Sequence, residues 1–165
     1  MGWQLRDHGY CITRAAGHQA VNTAIKAVAI CNHRTQVVNV LLCVEAELER
    51  IEPDKPDMVA QLVIREVDFP KPVKMREYKI SGQGDSDRLV RALLRPLQAG
   101  DGVSMNCIGP ESVYRAVIAF VNVRSLLLPR IETVIIPSWQ SILDKKQTPV
   151  NLIRLDVWGS PSNKV

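Results

Sequence analysis

Two stretches beginning at Gly17 and Gly109, 92 positions apart, repeat one pattern. Gly17-His18-Gln19-Ala20-Val21-Asn22-Thr23-Ala24-Ile25-Lys26-Ala27-Val28-Ala29 lies over Gly109-Pro110-Glu111-Ser112-Val113-Tyr114-Arg115-Ala116-Val117-Ile118-Ala119-Phe120-Val121. Val21, Ala24, Ile25 and Val28 follow the i, i+3, i+4, i+7 spacing of one helical face, and so do Val113, Ala116, Val117 and Phe120. The alanines let each helix lie close to a sheet. Each helix starts at a glycine directly after a strand-like run, residues 10–14 and 103–108. A chain that buries the same helix twice must offer it the same kind of sheet twice.

The similarity continues past the helices with a one-residue shift. Residues 38–44 and 131–136 are both β-branched or apolar runs of strand length. Each leads through a polar turn, 52–57 or 144–149, into another strand, 59–67 or 150–158, so each half ends in a hairpin. The second half has more in front: a strand at 74–80, a turn Ser81-Gly82-Gln83-Gly84, and a helix over 85–97. Asp85 or Ser86 caps that helix, its apolar face is Leu89, Leu93, Leu94 and Leu97, and Pro96 should end or kink it early. The first half has only residues 3–7 where that helix would finish. The expected organisation is α/β (α+β): a β-α-β-α-β-β module at 74–158, an N-terminally incomplete copy at 1–67, a Pro-stiffened linker at 68–73 and a frayed tail at 159–165. Mixed sheets with helices on one face are the natural arrangement.

Apolar residues make up 46% of the chain and aromatics only 5%, so the core must be built mainly from Val, Ile, Leu and Ala. The longest apolar stretch, near 37–44, is interrupted by Asn39 and is far short of the roughly 20 residues a membrane span needs. The first residues form no hydrophobic signal region, so a soluble intracellular protein without membrane insertion is expected. Cys11, Cys31, Cys43 and Cys107 form no C-x-x-C pair and read as buried reduced thiols. The net charge of +4 is uneven: −1 over residues 1–72 and +5 over residues 73–165. A polyanion would be drawn mainly to the second half.

Lys79-Ile80-Ser81, Arg88-Leu89-Val90-Arg91-Ala92-Leu93-Leu94, Met105-Asn106-Cys107-Ile108-Gly109 and Ile135-Ile136-Pro137 together resemble the stage V sporulation protein S family. Ala20-Val21-Asn22-Thr23-Ala24-Ile25-Lys26-Ala27-Val28-Ala29-Ile30 resembles the second-helix signature of that family more closely still. The resemblance covers about 74–158 as a whole module and about 9–67 as a partial one. That family is similar in fold to the Alba superfamily of small nucleic-acid-binding proteins. The resemblance therefore implies two Alba-like modules in tandem, self-association, and DNA or RNA as a partner. Asn22 and Lys26 match polar positions of the family helix, which become Tyr114 and Ile118 in the second copy. The family's lysine in the first strand-to-helix turn is replaced here by Gln83.

Arg88, Arg91 and Arg95 are spaced three and four apart and share one helical face, either a phosphate-binding row or a solvated face opposite the leucines. Lys145 and Lys146 occupy a predicted hairpin tip. Arg14, His18 and Lys26 form a smaller basic group in the first half. Trp139 either stacks on a base or, as the more usual role, covers the sheet edge or a partner; with Tyr114 and Phe120 it reads as a residue of a protein interface.

No catalytic constellation is legible. His8, His18 and His33 stand apart, and no G-x-S-x-G turn is present. Gly82-Gln83-Gly84 follows a strand, but Asp85 and Asp87 would repel a phosphate at the helix start, which favours a plain helix-entry turn. Glu45, Glu47 and Glu49 alternate along a strand and read as a solvated face, not a metal site. No cofactor is implied. Two functions remain open: a non-enzymatic nucleic-acid-associated protein contacting the phosphate backbone, or a structural scaffold subunit, a pseudo-dimer that docks on protein partners or further copies.

Overall fold

The computed structural model, which describes residues 7–35, 41–50 and 58–162, places a helix at both repeated stretches. In chain order the elements are β1 (Tyr10–Ala16), α1 (Gly17–Thr35), β2 (Leu42–Arg50), β3 (Met58–Glu66), β4 (Met75–Ile80), α2 (Ser86–Gln98), β5 (Gly102–Cys107), α3 (Pro110–Leu127), β6 (Ile131–Leu143) and β7 (Pro149–Pro161). Gly17 and Gly109 both take a positive φ (75° and 86°), the turn that lets a strand enter a helix without a Cβ penalty. Asp7 and His8 are helical, where the first half was expected to finish its shortened helix. Residues 3–6, 38–40 and 52–57, which carry further expectations, lie outside the described residues.

The strands form one seven-stranded sheet in the order β1-β3-β2-β6-β7-β5-β4. Separate sheets were expected; instead the two hairpins join edge to edge through the antiparallel pair Val44↔Ile135. The join gives β2 and β6 a neighbour where each would otherwise present an open edge. Outward from that seam, β2-β3-β1 and β6-β7-β5 follow the same order, and β4 extends the second side alone, parallel to β5.

Helices α1, α2 and α3 cover one face. Val21, Ile25 and Val28 of α1, Leu89, Leu93 and Leu97 of α2 and Val113, Val117 and Phe120 of α3 share one buried cluster with strand residues such as Val44, Leu62, Met105, Ile135 and Leu155. The opposite face carries a smaller cluster of Cys43, Val134, Ile136 and Trp158, with Phe69 and Met75 packed against it. Five strand spacings separate β3 from β4, about 24 Å. The connection runs from Glu66 to Met75, so it must be nearly extended, which Pro70 and Pro72 favour. Within it, Lys71 Nζ bonds Asp156 Oδ2 of β7 at 2.9 Å and lies 5.9 Å from the Trp158 ring centroid.

Two further expectations are corrected. The tail does not fray at 159: Gly159, Ser160 and Pro161 pair with Thr133, Glu132 and Ile131. Glycine is needed there, since a Cβ at 159 would lie 2.7 Å from Ile131 Cγ2 and 2.8 Å from the Glu132 carbonyl oxygen. Pro96 neither ends nor kinks α2 early, because it sits in the last turn. The Ala92 carbonyl, which a proline four residues on cannot engage, accepts instead from the Tyr78 hydroxyl at 3.3 Å.

Candidate nucleic-acid interface

Leu89, Leu93 and Leu97 hold α2 on the sheet and thereby turn Arg88, Arg91 and Arg95 outward. The Asp85 carboxylate caps the helix by accepting from the backbone N–H groups of Asp87 and Arg88 at 2.9 and 3.3 Å. The three guanidinium groups span about 10 Å of helix and line one shallow concavity with Ala92, Leu94 and Gln98. Among the described residues no carboxylate lies within ion-pair distance of any of them.

Several other arginines are committed elsewhere. Arg115 donates to the carbonyls of Ser81 and Gln83 through Nη1 (2.9 and 2.8 Å) and to that of Asp85 through Nη2 (2.9 Å). It thus wraps the Gly82-Gln83-Gly84 turn around its own charge, which makes that turn a helix entry and not a phosphate loop. Arg76 pairs with Asp101, and Arg154 with Asp156 and Glu77. Asp156 also accepts from Ser104 at 2.6 Å. Burial would raise the Asp156 pKa, but hydrogen bonds from Ser104, Lys71 and Arg154 outweigh it and hold the carboxyl below its ordinary value.

The β6–β7 hairpin is the second basic element. β5 pairs with β7 as far as Cys107↔Ile153 and β2 pairs with β6 at Val44↔Ile135, so among the described residues the hairpin beyond Trp139 is two-stranded. Its turn is built by Asp144, whose carboxylate accepts from the N–H groups of Lys146 and Thr148 at 2.7 and 2.8 Å, with Gln147 at φ 61°. Lys145 and Lys146 therefore ride at its tip. Since β4 and β5 are parallel and β5 is antiparallel to β7, this tip lies at the sheet end where α2 begins.

The remaining sequence candidates are not gathered here. Arg14 lies on β1, the edge strand opposite β4 and about 29 Å away by strand count; it pairs with Glu49 at 3.3 Å. Lys26 sits over Trp139, its Nζ 5.9 Å from the ring centroid. Half-buried Tyr114 packs against His18 of α1, ring centroids 4.4 Å apart, so it serves a contact within the chain. Phe120, expected at a protein interface, is completely buried in the helix-side core and offers no surface to a partner. Trp139 is half-buried on β6.

Sequence reasoning missed the seam. Asn32, 3% exposed, donates to the carbonyls of Leu42 and Pro137 at 2.9 Å each and accepts from the Leu42 N–H at 2.7 Å, bracketing β2 and β6 together. Arg124 donates to Glu45 at 2.8 Å and to Glu47 at 3.1 Å, and the other Glu45 oxygen accepts from Arg65 at 2.6 Å. Glu45 is thus no member of a solvated face: its side chain is 17% exposed and bridges two arginines. The signal was available, because Asn32 and Arg124 are themselves 92 positions apart and each helix uses that position to grip the other half's hairpin strand.

Burial pushes the thiols of Cys43 and Cys107 up to about 12, which leaves both protonated and unreactive. Among the described residues, no group of three His, Cys, Asp or Glu could hold a metal ion, and no helix is long and apolar enough to cross a membrane.

Residues 76–158, just over half of the chain, match the family model described as Stage V sporulation protein S. The match spans α2 with its three arginines and the β6–β7 hairpin. No curated protein matches the chain.

Proposed function

The chain belongs to the stage V sporulation protein S family, and from that premise we propose that it is a non-enzymatic, nucleic-acid-associated protein that grips phosphate backbone. Arg88, Arg91 and Arg95 are the main contacts, with Lys145 and Lys146 reaching further along the polyanion. One observation carries this reading: these three arginines stand side by side with no acidic partner among the described residues, while Arg65, Arg76, Arg115, Arg124 and Arg154 are all engaged. Adjacent like charges raise the energy of the free protein, and a row of phosphates relieves it while releasing counterions. The same reading takes residues 9–67 as a shortened second copy of the Alba-like module, set against the first so that one chain supplies what a homodimer would.

The test is fluorescence anisotropy with a short duplex at rising salt. Binding should weaken with a log–log slope near −0.9 per neutralised phosphate, and Arg88→Glu/Arg91→Glu/Arg95→Glu should abolish it. Binding that ignores salt, or that survives the triple reversal, contradicts the proposal.

A second reading, a scaffold subunit that docks on a protein partner, draws on one observation. Among the described residues no strand pairs with the outer side of β1, where β5 on the other side has β4, and Tyr10 and Ile12 on β1 are each 51% exposed. An edge strand of this kind accepts an added strand from a partner. A chain that stays monomeric and captures no extended peptide at that edge counts against it.

A further inference from the structure

We propose that the slot between α1 and β6 takes an unpaired nucleobase stacked on Trp139, so that the chain engages single-stranded nucleic acid; the inference rests on the nucleic-acid reading above. Ile30, His33, Trp139 and Ser141 line a cavity of about 320 Å³, at the small end of the range for organic ligands. Among the described residues no carboxylate lines it. Ile30 is 38% exposed, so the apolar wall stands open to solvent. Trp139 lies on β6 four residues beyond the Val44↔Ile135 pair and packs, half-buried, against the helix-side cluster.

Charge selects the occupant. Lys26 precedes Ile30 by one helical turn, on the same stripe, and its Nζ is 5.9 Å from the Trp139 ring centroid. A half-buried aromatic ring with a cation over it is a pairing by which single strands are held: the base takes its place on the ring as the ammonium swings to the adjoining phosphate. From Trp139 the hairpin climbs about 20 Å to Lys145, so a strand leaving the slot along it arrives at two more cations. A duplex keeps its bases stacked and paired and cannot fill the slot. An acidic peptide would meet the same cations but has no base to stack on the ring.

The experiment is a titration of the whole chain with an oligothymidylate 12-mer and with a 12-base-pair duplex, read by indole fluorescence and anisotropy. Oligothymidylate should quench the fluorescence, and Trp139→Phe should lose most of the quench while keeping affinity within about three-fold. Trp139→Leu should weaken the single strand by about ten-fold or more, the scale of one base–aromatic stack, and leave duplex binding unchanged. If Trp139→Leu binds oligothymidylate like the parent protein while salt-dependent binding persists, the slot is not used and the backbone reading alone survives. If neither nucleic acid binds, both readings fall. Retained near-ultraviolet circular dichroism from Trp158, buried on the other face, confirms that each variant is folded.

Discussion

Asn32→Ala attacks the seam where the two hairpins meet. Asn32 is buried, and its amide satisfies three backbone groups on two strands: the Leu42 N–H, the Leu42 carbonyl and the Pro137 carbonyl, at 2.7 to 2.9 Å. Alanine leaves all three without that partner. A buried polar group stranded in this way costs about 1–3 kcal/mol. Some relaxation around the single Val44↔Ile135 pair reduces the total, so a loss of about 3–4 kcal/mol is expected, a large share of the ~5–15 kcal/mol that holds a domain folded. Asn32→Asp should be worse, because it sets a carboxylate oxygen against two carbonyl oxygens. Urea unfolding followed by circular dichroism measures this as a lower midpoint with an unchanged slope. A loss below about 1 kcal/mol would refute the claim that this side chain pins β2 to β6.

Arg124→Ala should cost about 1.5–3 kcal/mol in the same unfolding assay by removing its charged hydrogen bond to Glu45, a carboxylate that keeps Arg65 as its second partner. Asp156 makes stability depend on acid. Its folded pKa is lowered from 3.8, so its contribution is full above the unfolded value and is lost as pH falls through the depressed one; Asp156→Asn should flatten stability against pH below about 4. Gly159→Ala should destabilise by about 1–3 kcal/mol, because the new methyl meets Ile131 and the Glu132 carbonyl. At pH 8 a thiol reagent should label half-buried Cys31 in the native protein and spare Cys43 and Cys107, whose pKa is about 12.

Local periodicity made the helices legible. Val21, Ile25 and Val28, like Val113, Val117 and Phe120, declare a buried face by spacing alone, and each falls in the core. The same spacing put Arg88, Arg91 and Arg95 on one face of α2, and they line one concavity. The single sheet was not legible, because it depends on one long-range pair and on Asn32 and Arg124, residue types that normally face water. Glu45 alternates with Glu47 and Glu49 as a solvated strand would, and only Arg65 of β3 and Arg124 of α3 closing on it reveal it as half-buried. Phe120 looked available for a partner because its place in the repeat does not say how many layers cover it; α3 turns it inward. Gly159, Ser160 and Pro161 have the composition of a loose end, yet the length of β6 gives them a partner.

The most direct test of the phosphate-gripping account is the salt slope of duplex binding, measured side by side for the parent chain and for Arg88→Ala/Arg91→Ala/Arg95→Ala. If each guanidinium displaces one condensed counterion, the triple variant should bind more weakly at every salt concentration, with a slope shallower by about 2.7. Equal slopes and equal affinities for the two proteins would mean that the row of arginines on α2 does not touch the polyanion.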